Sequence, residues 1–312
     1  MKAIIINEYG GREQLVEKKV YDPKPGPRDV LIEVHATSVN PVDWKIREGY
    51  LKDNLRFSFP VILGWDAAGV VKETGSAVTK FKPGDEVFTR PATERDGTYA
   101  ELLAADEELV AFKPKNLTFE EAASIPLVGL TAWQCLVDFA KIKEGQRVLV
   151  HAGGGGVGSF AIQLAKTKGA YVISTGSEDS ESIIKESGAD EFINYKTQDF
   201  TEAIESVDIV FDTIGGDVQK SSYKVIKPGG VLVSIVSPPV QKEATNHSVT
   251  AGFVFLDPDG EELAEIGKLI EAGKIKPFVG ETFPLTQDGV RAAHELSESH
   301  HAKGKIIISV KE

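Results

Sequence analysis

The 312 residues of the chain include only one cysteine, Cys135. A single cysteine excludes an intrachain disulfide and any metal site built from several thiolates, so we expect Cys135 to be a small buried hydrophobic residue. No apolar run approaches the roughly 18 residues of a membrane span. Residues 1–8 lack the layout of a secretory signal peptide and are typical of a strand. From these absences we expect a cytoplasmic protein.

Basic residues are also in the minority, since 35 lysines and arginines stand against 47 aspartates and glutamates, for a formal net charge of −12. Nucleic acids and anionic membranes are bound by basic faces, so we expect neither as a partner. A hydrophobic content of 41% and a charged content of 26% are ordinary for a globular protein. The length is typical of two domains.

The first 120 residues contain short strand-like segments between turns rich in glycine and proline. Residues 30–36 alternate as a half-buried strand does, and 67–75 form a strand that enters a turn. Such spacing favours a compact barrel. Near residue 118 the pattern changes, because Thr118 and Glu121 have the spacing of a capping box at the start of a helix. A second helix is predicted at 130–140.

From residue 147 onward, strands and helices are predicted to alternate. The predicted strands are 147–150, 170–175, 191–194, 208–212 and 231–236, and the predicted helices include 180–187 and 218–226, the latter ended by residues 227–230. This alternation indicates an α/β fold with a doubly wound parallel sheet. Two further helices and a strand at 305–310 follow, and we expect this last part to return to the first domain.

The strand at 147–150 leads into a glycine-rich turn and then a helix. Gly153, Gly155 and Gly158 have the spacing G-x-G-x-x-G, which allows a tight turn, close approach of backbone to a pyrophosphate, and close packing of helix on strand. The N–H groups at the start of the helix would face the anion. The alternative is a turn that binds nothing, but the strand–turn–helix context predicts a dinucleotide site.

Several motifs occur in a fixed order along the chain. They are Pro-Gly-Asp-Glu-Val at 83–87, Gly-Thr-Tyr-Ala-Glu at 97–101, the glycine turn at 152–158, Gly-Ala-Asp at 188–190 with Ile-Asn-Tyr at 193–195, and Lys-Gly-Lys at 303–305. As an ordered set they resemble the medium-chain dehydrogenase/reductase superfamily over nearly the whole chain. The segments 38–43 and 64–69 resemble its zinc-independent quinone oxidoreductase branch, which includes zeta-crystallin-like enzymes and plant chloroplast-type quinone and alkenal reductases.

The resemblance implies two domains and a reaction. A GroES-like β-barrel catalytic domain would span 1–122 with a C-terminal return over 261–312, and a Rossmann NAD(P)-binding domain would span 123–260. The implied activity is hydride transfer from NAD(P)H to a quinone or to the C=C bond of an α,β-unsaturated carbonyl. The resemblance also implies a homodimer.

The residues themselves argue against a metal. Zinc-dependent relatives place a cysteine where this chain has Asn40 and a His-Glu pair where it has Trp65 and Asp66, so the thiolate and the imidazole that a catalytic zinc needs are missing. We expect Asp66 to hydrogen-bond backbone instead. His294, His300 and His301 lack a carboxylate or thiolate framework, and we interpret them as a solvated helix end.

The choice of dinucleotide depends on the end of the second predicted strand, Thr175-Gly176-Ser177. An acidic residue there would bind the ribose 2′-OH of NAD, and its absence favours NADP over NAD. Acidic residues at 178–181 replace the lysine that the family often has. Ser177 would hold the 2′-phosphate or cap a helix, and Tyr195 would border that phosphate or simply pack.

Other candidate site residues follow from the resemblance. In the first domain, Asn40 would contact the nicotinamide or terminate a turn, Lys45 would donate to the substrate carbonyl, hold a phosphate or lie on the surface, and Tyr50 would line the substrate mouth or pack. The cofactor-binding set in the second domain comprises Thr131, the turn residues Gly153, Gly154, Gly155, Gly156 and Val157, the loop Thr213, Ile214 and Gly215, and the strand ends Ile235, Val236, Ser237, Phe253, Val254 and Phe255, for which core packing is the alternative.

Two alternatives to a quinone or enone reductase stay open. One is a reductase or dehydrogenase of another carbonyl substrate. The other is a non-catalytic NADPH-binding sensor or structural protein, because the chain lacks an unmistakable proton donor.

Overall fold

Two units make up the computed structural model, which describes residues 1–311. Unit 1 comprises Met1–Leu127, Pro258–Gly273 and the chain from Pro277 onward. Unit 2 comprises Val128–Asp257 and Lys274–Lys276.

Unit 1 is built mainly from strands. Its strands up to residue 112 are β1 (Lys2–Ile6), β2 (Val16–Lys19), β3 (Asp29–Val39), β4 (Val61–Ile62), β5 (Ala67–Thr74), β6 (Glu86–Thr89), β7 (Leu102–Asp106) and β8 (Val110–Phe112), and its helices there are α1 (Pro41–Arg47) and α2 (Phe119–Ala123). Helix α3 (Pro126–Trp133) begins in this unit and continues into unit 2.

Unit 2 alternates strands with helices. In chain order it contains β9 (Arg147–Val150), α4 (Gly156–Thr167), β10 (Tyr171–Gly176), α5 (Glu181–Glu186), β11 (Glu191–Asn194), α6 (Phe200–Ala203), β12 (Val207–Asp212), α7 (Gly216–Ser222), β13 (Ile226–Ser234), α8 (Gln241–Asn246) and β14 (Thr250–Phe253). The chain then supplies α9 (Gly260–Glu271), β15 (Val279–Pro284), α10 (Gln287–Glu298) and β16 (Lys305–Ser309) to unit 1.

The strands of unit 1 form two sheets. A three-stranded antiparallel sheet has the order β2-β1-β4, and a larger sheet has the order β15-β16-β3-β5-β6-β8, with β7 also paired to β3. The last strand of the chain, β16, pairs antiparallel with β3, where Ile307 lies opposite Ser38. This pairing brings the beginning of β16 to the end of β3, where α1 starts.

The sheet of unit 2 is wholly parallel, in the order β11-β10-β9-β12-β13-β14. The chain turns one way from β9 to β10 and the other way to β12, so β9 stands at the topological switch point of a Rossmann-type sheet. Its strands are short apolar runs, as expected where helices cover both faces. The expected α/β fold class with a doubly wound sheet is confirmed.

The helix start predicted at Thr118 is confirmed. The Thr118 backbone N–H donates to Glu121 at 2.9 Å, and the Glu121 N–H donates to the Thr118 hydroxyl at 3.2 Å, which is the predicted capping box.

Cys135 is buried as expected, and burial raises the pKa of its thiol well above the usual range.

Three expectations were wrong. One concerns residues 227–230, which do not end a helix but form a register irregularity inside β13, between Ile226 and Val231. The helices predicted at 218–226 and 130–140 are both helical, but each changes type: the first is α7 up to Ser222 and a 3-10 turn over Tyr223–Val225, and the second is α over Pro126–Trp133 and a π-helix over Gln134–Phe139, where a uniform helix was wrongly expected. His294 is fully buried rather than solvated, because the apolar face of α10 turns it into unit 1, whereas His300 and His301 are exposed.

Within residues 1–311, none of the helices combines the length and the apolar character required to span a bilayer.

Candidate active site

Asn40 lies between β3 and α1 and is almost fully buried. Its backbone N–H donates to Asp43 Oδ2 at 2.9 Å, so Asn40 is the N-cap residue of α1 and Pro41 occupies the first helical position. Its side-chain Nδ2 donates to Asp66 Oδ2 at 2.7 Å, and its Oδ1 accepts from Lys305 Nζ. The side chain that was expected at the nicotinamide therefore belongs to a buried polar network.

Asp66 is the centre of that network and has no exposure to solvent. Its Oδ2 also accepts from the Ser38 hydroxyl at 2.7 Å and lies 3.2 Å from Lys305 Nζ, and its Oδ1 accepts from the Leu127 backbone N–H at 2.7 Å. The expected hydrogen bond from backbone is thus present. A buried carboxylate is tolerated because a cation and several donors replace its hydration.

A second buried network holds the other side of α1. Tyr99 Oη donates to Asp43 Oδ2 at 2.6 Å and accepts from His294 Nε2 at 3.2 Å, while Arg47 Nη1 donates to His294 Nδ1 at 3.0 Å. This assignment follows because the tyrosine proton is committed to Asp43 and arginine can only donate. Arg47 is fully buried and also pairs with Glu48 and with Glu298, the latter at 2.8 Å.

Two ionisable groups of this network, Asp43 and His294, both favour their neutral forms. Burial raises the pKa of Asp43 to about 7, although the hydrogen bond from Tyr99 opposes the change, and Asp43 Oδ1 has no hydrogen-bond partner within residues 1–311. Burial lowers the pKa of His294 to about 3, helped by the positive charge of Arg47. Charged Asp43 and charged His294 are therefore both unfavourable in the folded chain.

Lys45 and Tyr50 lie on α1 and in the turn after it. Lys45 is half-buried with Nζ 5.7 Å from the centroid of the Trp44 ring, and burial lowers its pKa. Tyr50 is 69% exposed and meets Trp44 edge-on at 6.2 Å. Unit 1 thus brings the three predicted catalytic residues, Asn40, Lys45 and Tyr50, to one short helix and its flanks.

The glycine turn of unit 2 follows β9 at the switch point. A Cβ on Gly158 would overlap the carbonyl oxygen of Ala152, so this glycine permits α4 to pack on the turn. A Cβ on Gly155 would meet only that same oxygen, at 3.5 Å, and Gly155 has an extended backbone with φ −79°. Gly155 therefore borders open space at the start of α4, whose first N–H groups have no acceptor inside the helix.

A chain of hydrogen bonds fixes this turn to its neighbours. The Ser222 hydroxyl donates to a backbone carbonyl, so it accepts from His151 Nε2 at 3.0 Å, and His151 Nδ1 accepts from the Thr175 hydroxyl at 3.1 Å. Thr175 Oγ1 in turn accepts from the Ala152 backbone N–H at 3.3 Å. Burial lowers the pKa of His151 to about 4, so the imidazole stays neutral and the chain keeps one direction.

The strand ends of unit 2 present apolar side chains to solvent. Ile214, Val236, Phe253 and Phe255 follow or end β12, β13 and β14 and are all exposed, although β12 and the end of β13 are buried. Thr213 donates to the His151 carbonyl oxygen at 2.8 Å. Exposed apolar residues at the carboxyl ends of adjacent parallel strands form a surface suited to a flat aromatic ligand.

The remaining cofactor candidates occupy different surroundings. Ser177 precedes a short 3-10 turn, but its hydroxyl makes no capping hydrogen bond, so that alternative is not used. Tyr195 is 60% exposed just after β11, and its backbone N–H donates to the Gly176 carbonyl oxygen at 3.2 Å. Thr131 is buried in α3.

Comparisons with known proteins cover the whole chain. Residues 26–115 match the family model for the alcohol dehydrogenase GroES-like domain, and residues 187–308 match that for zinc-binding dehydrogenase. The NADPH-dependent alkenal/one oxidoreductase of Arabidopsis thaliana is 37% identical over 321 residues, covering 99% of this chain and 79% of that protein.

Solved structures agree with this result. The quinone oxidoreductase from Coxiella burnetii is 37% identical with a TM-score of 0.91, covering 100% of this chain and 99% of that one. The chain belongs to the medium-chain dehydrogenase/reductase superfamily. The Escherichia coli quinone oxidoreductase, solved with NADPH, is 29% identical with a TM-score of 0.89 and covers 99% of this chain and 100% of that one.

Zinc, which the name of one matching model implies, does not fit the residues present. Trp65 is fully buried with an indole that cannot ligate a cation, and Asp66 is already saturated by donors that include the Lys305 ammonium. Within residues 1–311, no group of three or more His, Cys, Asp and Glu side chains is arranged to hold a metal ion. This member of the superfamily holds a fixed ammonium group among the acceptors of Asn40 and Asp66.

A nicotinamide dinucleotide, NAD(H) or NADP(H), in contrast fits the residues of unit 2. Gly155 leaves a backbone cradle that a Cβ would fill, α4 begins beside it, and apolar side chains are exposed at the ends of three neighbouring strands. Gly154 and Val157 belong to the same turn and helix start, and Ser237 and Val254 to the same strand ends.

Sequence reasoning missed the buried partners of Asn40. Asp43, Tyr99, His294 and Lys305 were not named as site residues, although Asp43 follows Asn40-Pro41 at the spacing of a capping box, and Lys305 begins a strand whose next three residues are isoleucines. The spacing Asn-Pro-x-Asp was the available signal for Asp43. No local signal could show that residues 40, 66 and 305 meet.

The glycine geometry predicts different outcomes for two substitutions. Gly155→Val should fold normally, because its Cβ meets open space, but should lower NADPH affinity by at least about tenfold, since the side chain fills the pyrophosphate cradle. Gly158→Val should lower the thermal unfolding midpoint, because its Cβ overlaps backbone. Calorimetric titration and thermal melts measure both. Wild-type NADPH affinity in Gly155→Val would rule out this cradle.

The raised pKa of Asp43 predicts a pH-dependent stability. Its folded-state pKa of about 7 lies above the ordinary value of 3.8, so its contribution to stability is complete below about pH 4 and is lost as pH rises towards and through 7. Asn at position 43 cannot ionise. Urea unfolding midpoints measured from pH 5 to 9 should therefore fall less in Asp43→Asn than in wild type, and parallel curves would contradict the assignment.

Proposed function

We propose that this chain is an NADPH-dependent reductase of quinones or of the C=C bond of α,β-unsaturated carbonyls. The observation that carries the proposal is the content of unit 1: where zinc-dependent relatives hold a metal, this chain holds Asn40 and Asp66, which bond to each other and to Lys305, and the buried indole of Trp65. Unit 2 of the same chain has a glycine turn at the switch point of a parallel sheet, which supports a dinucleotide site. A dinucleotide site without metal ligands supports hydride chemistry on a carbon that is already electron-poor.

When bound, NADPH supplies the hydride. The residues of unit 2 bind and orient it. Gly154, Gly156 and Val157 offer backbone N–H groups to the pyrophosphate, and Gly155, whose own N–H donates to the Ala152 carbonyl oxygen, offers it space. Phe253 and Phe255 offer apolar surface to the nicotinamide end. Thr213 and Ile214 border the adenosine in this proposal, and Thr131 offers a hydroxyl on the nicotinamide side.

Lys45 is the proposed donor to the substrate carbonyl. Hydride addition to an enone or quinone places negative charge on that oxygen, and a nearby ammonium group stabilises it. The half-buried position of Lys45 lowers its pKa, which makes it a better proton donor near neutral pH than an exposed lysine. Tyr50, exposed beside Trp44, is proposed to line the entrance for substrate.

Lys45 can be tested by rate and by pH. Lys45→Met should lower kcat/KM for a small enone about 100-fold, because the charge and the proton donor are both lost, and Lys45→Arg should retain more activity. The wild-type rate should fall at alkaline pH as Lys45 deprotonates, and this limb should disappear in Lys45→Met. Steady-state loss of NADPH absorbance measures both.

Comparing NADPH binding with NADPH consumption decides whether the chain is an enzyme. If the wild-type chain binds NADPH tightly by calorimetry but consumes none with a panel of quinones and enals, it is a binding protein and the reductase proposal is wrong. Turnover confined to saturated carbonyl substrates would point to the other alternative, a carbonyl reductase.

NADP is the proposed dinucleotide in preference to NAD. The unused hydroxyl of Ser177 and the exposed ring of Tyr195 follow the ends of neighbouring strands β10 and β11, where a 2′-phosphate would lie. The name of the Arabidopsis relative also contains NADPH.

Ser177→Asp should reverse this preference. A carboxylate at 177 repels the 2′-phosphate and accepts from a ribose 2′-OH, so NADPH affinity should fall at least about tenfold while NADH affinity holds or improves. Ser177→Ala is the matched control and should change NADPH affinity less. Fluorescence titration with both dinucleotides gives the four constants, and an equal loss for NADPH and NADH in Ser177→Asp would retire the assignment.

A homodimer and a cytoplasmic location complete the proposal. Both rest on the family likeness and on the sequence features given above, and both stay predictions.

A further inference from the structure

Lys305 is the first residue of β16 and lies at 6% exposure in unit 1. The glycine before it, Gly304, has φ +68°, and a Cβ there would overlap the carbonyl oxygen of Phe278. The backbone at position 304 therefore requires glycine, and its conformation sets where the Lys305 side chain enters unit 1.

Three oxygen atoms converge on the Lys305 ammonium. They belong to the Val39 carbonyl at 3.3 Å, the Asp66 carboxylate at 3.2 Å and the Asn40 side-chain carbonyl. An ammonium group has three N–H donors, so each donor has one acceptor and none is left over. This cation is fully coordinated by the protein.

The charges around Asn40 leave its amide only one orientation. Lys305 can only donate, so it must face Oδ1, and ionised Asp66 can only accept, so it must face Nδ2. A flipped amide would place NH2 against the ammonium and oxygen against the carboxylate in a site without water, where such contacts are costly. One Nδ2 hydrogen is used by Asp66, and the other has no acceptor within residues 1–311.

We propose that Lys305 is a positioning residue of the active site, whose ammonium group locks the Asn40 amide so that its second Nδ2 hydrogen is a fixed donor to a carbonyl oxygen. The carbonyl is that of the substrate. A donor held by charge before the ligand arrives stabilises developing negative charge without reorganisation. This inference rests on the proposed reductase function.

The lock makes a specific prediction for removal of the ammonium group. Lys305→Ala leaves three oxygen acceptors around an empty space with the buried charge of Asp66 uncompensated. Ethylammonium has the same N–H donors and fits the removed side chain, whereas tetramethylammonium carries the charge but no donor. Lys303→Ala, an exposed lysine two residues away, is the matched control.

We expect Lys305→Ala to lower kcat at least about tenfold, with Lys303→Ala unchanged. Added ethylammonium chloride should restore much of the loss and raise the thermal midpoint of Lys305→Ala, and tetramethylammonium chloride at equal ionic strength should do neither. Retention of wild-type kcat and KM in Lys305→Ala, or equal effects of the two salts, would overturn the proposal. A fall in NADPH affinity with kcat unchanged would likewise overturn it.

A double-substitution cycle tests that Lys305 acts through Asn40. Asn40→Ala removes the amide and its donor hydrogen but keeps the backbone N–H that donates to Asp43, so adding Lys305→Ala to it should cause little further loss of kcat, whereas additive losses would overturn the coupling. The ethylammonium-specific thermal shift does not depend on turnover. If the wild-type chain reduces nothing, the reductase function fails, and this shift in Lys305→Ala still decides whether the lock exists.

Discussion

The buried pair of Asp66 and Lys305 is the interaction on which the rest of unit 1 depends. A carboxylate without solvent exposure requires a cation and donors to replace water, and it draws them from segments far apart in the chain. Ser38 at the end of β3, Asn40 before α1 and Leu127 in α3 all donate to it. One charge therefore fixes the positions of three segments, two of which hold candidate site residues.

The second network acts on the opposite side of α1. Tyr99 donates to Asp43, His294 donates to Tyr99 and Arg47 donates to His294, so each hydrogen of this network has a single direction. A helix of seven residues is too short to be stable by itself, so these side chains stabilise it. The positions of Lys45 and Tyr50 therefore depend on Tyr99, His294 and Arg47, which have no contact with the substrate in the proposed function.

Unit 2 depends on backbone geometry rather than charge. The parallel sheet places the ends of β9, β10, β12, β13 and β14 along one edge, and the glycine turn occurs where the strand order reverses. Gly158 serves packing and Gly155 leaves open space, although both belong to one motif. Neutral His151, held between Thr175 and Ser222, keeps this turn in register with its neighbours.

Hydrophobic periodicity, capping residues and glycine spacing are local signals, so the α/β class, the order of the elements and the glycine turn could be predicted from the amino-acid sequence. The capping box at Thr118 is an example. Asn40 was a candidate through resemblance. The surroundings of Asn40 depend instead on long-range pairing: β16 returns to pair with β3, and that pairing brings residue 305 to residues 40 and 66. Lys305 is more than 200 residues away from Asn40 and Asp66 in the chain, so no local pattern predicts that they are in contact. The burial of His294 could not be predicted for the same reason, because its partner Arg47 is equally distant in the chain.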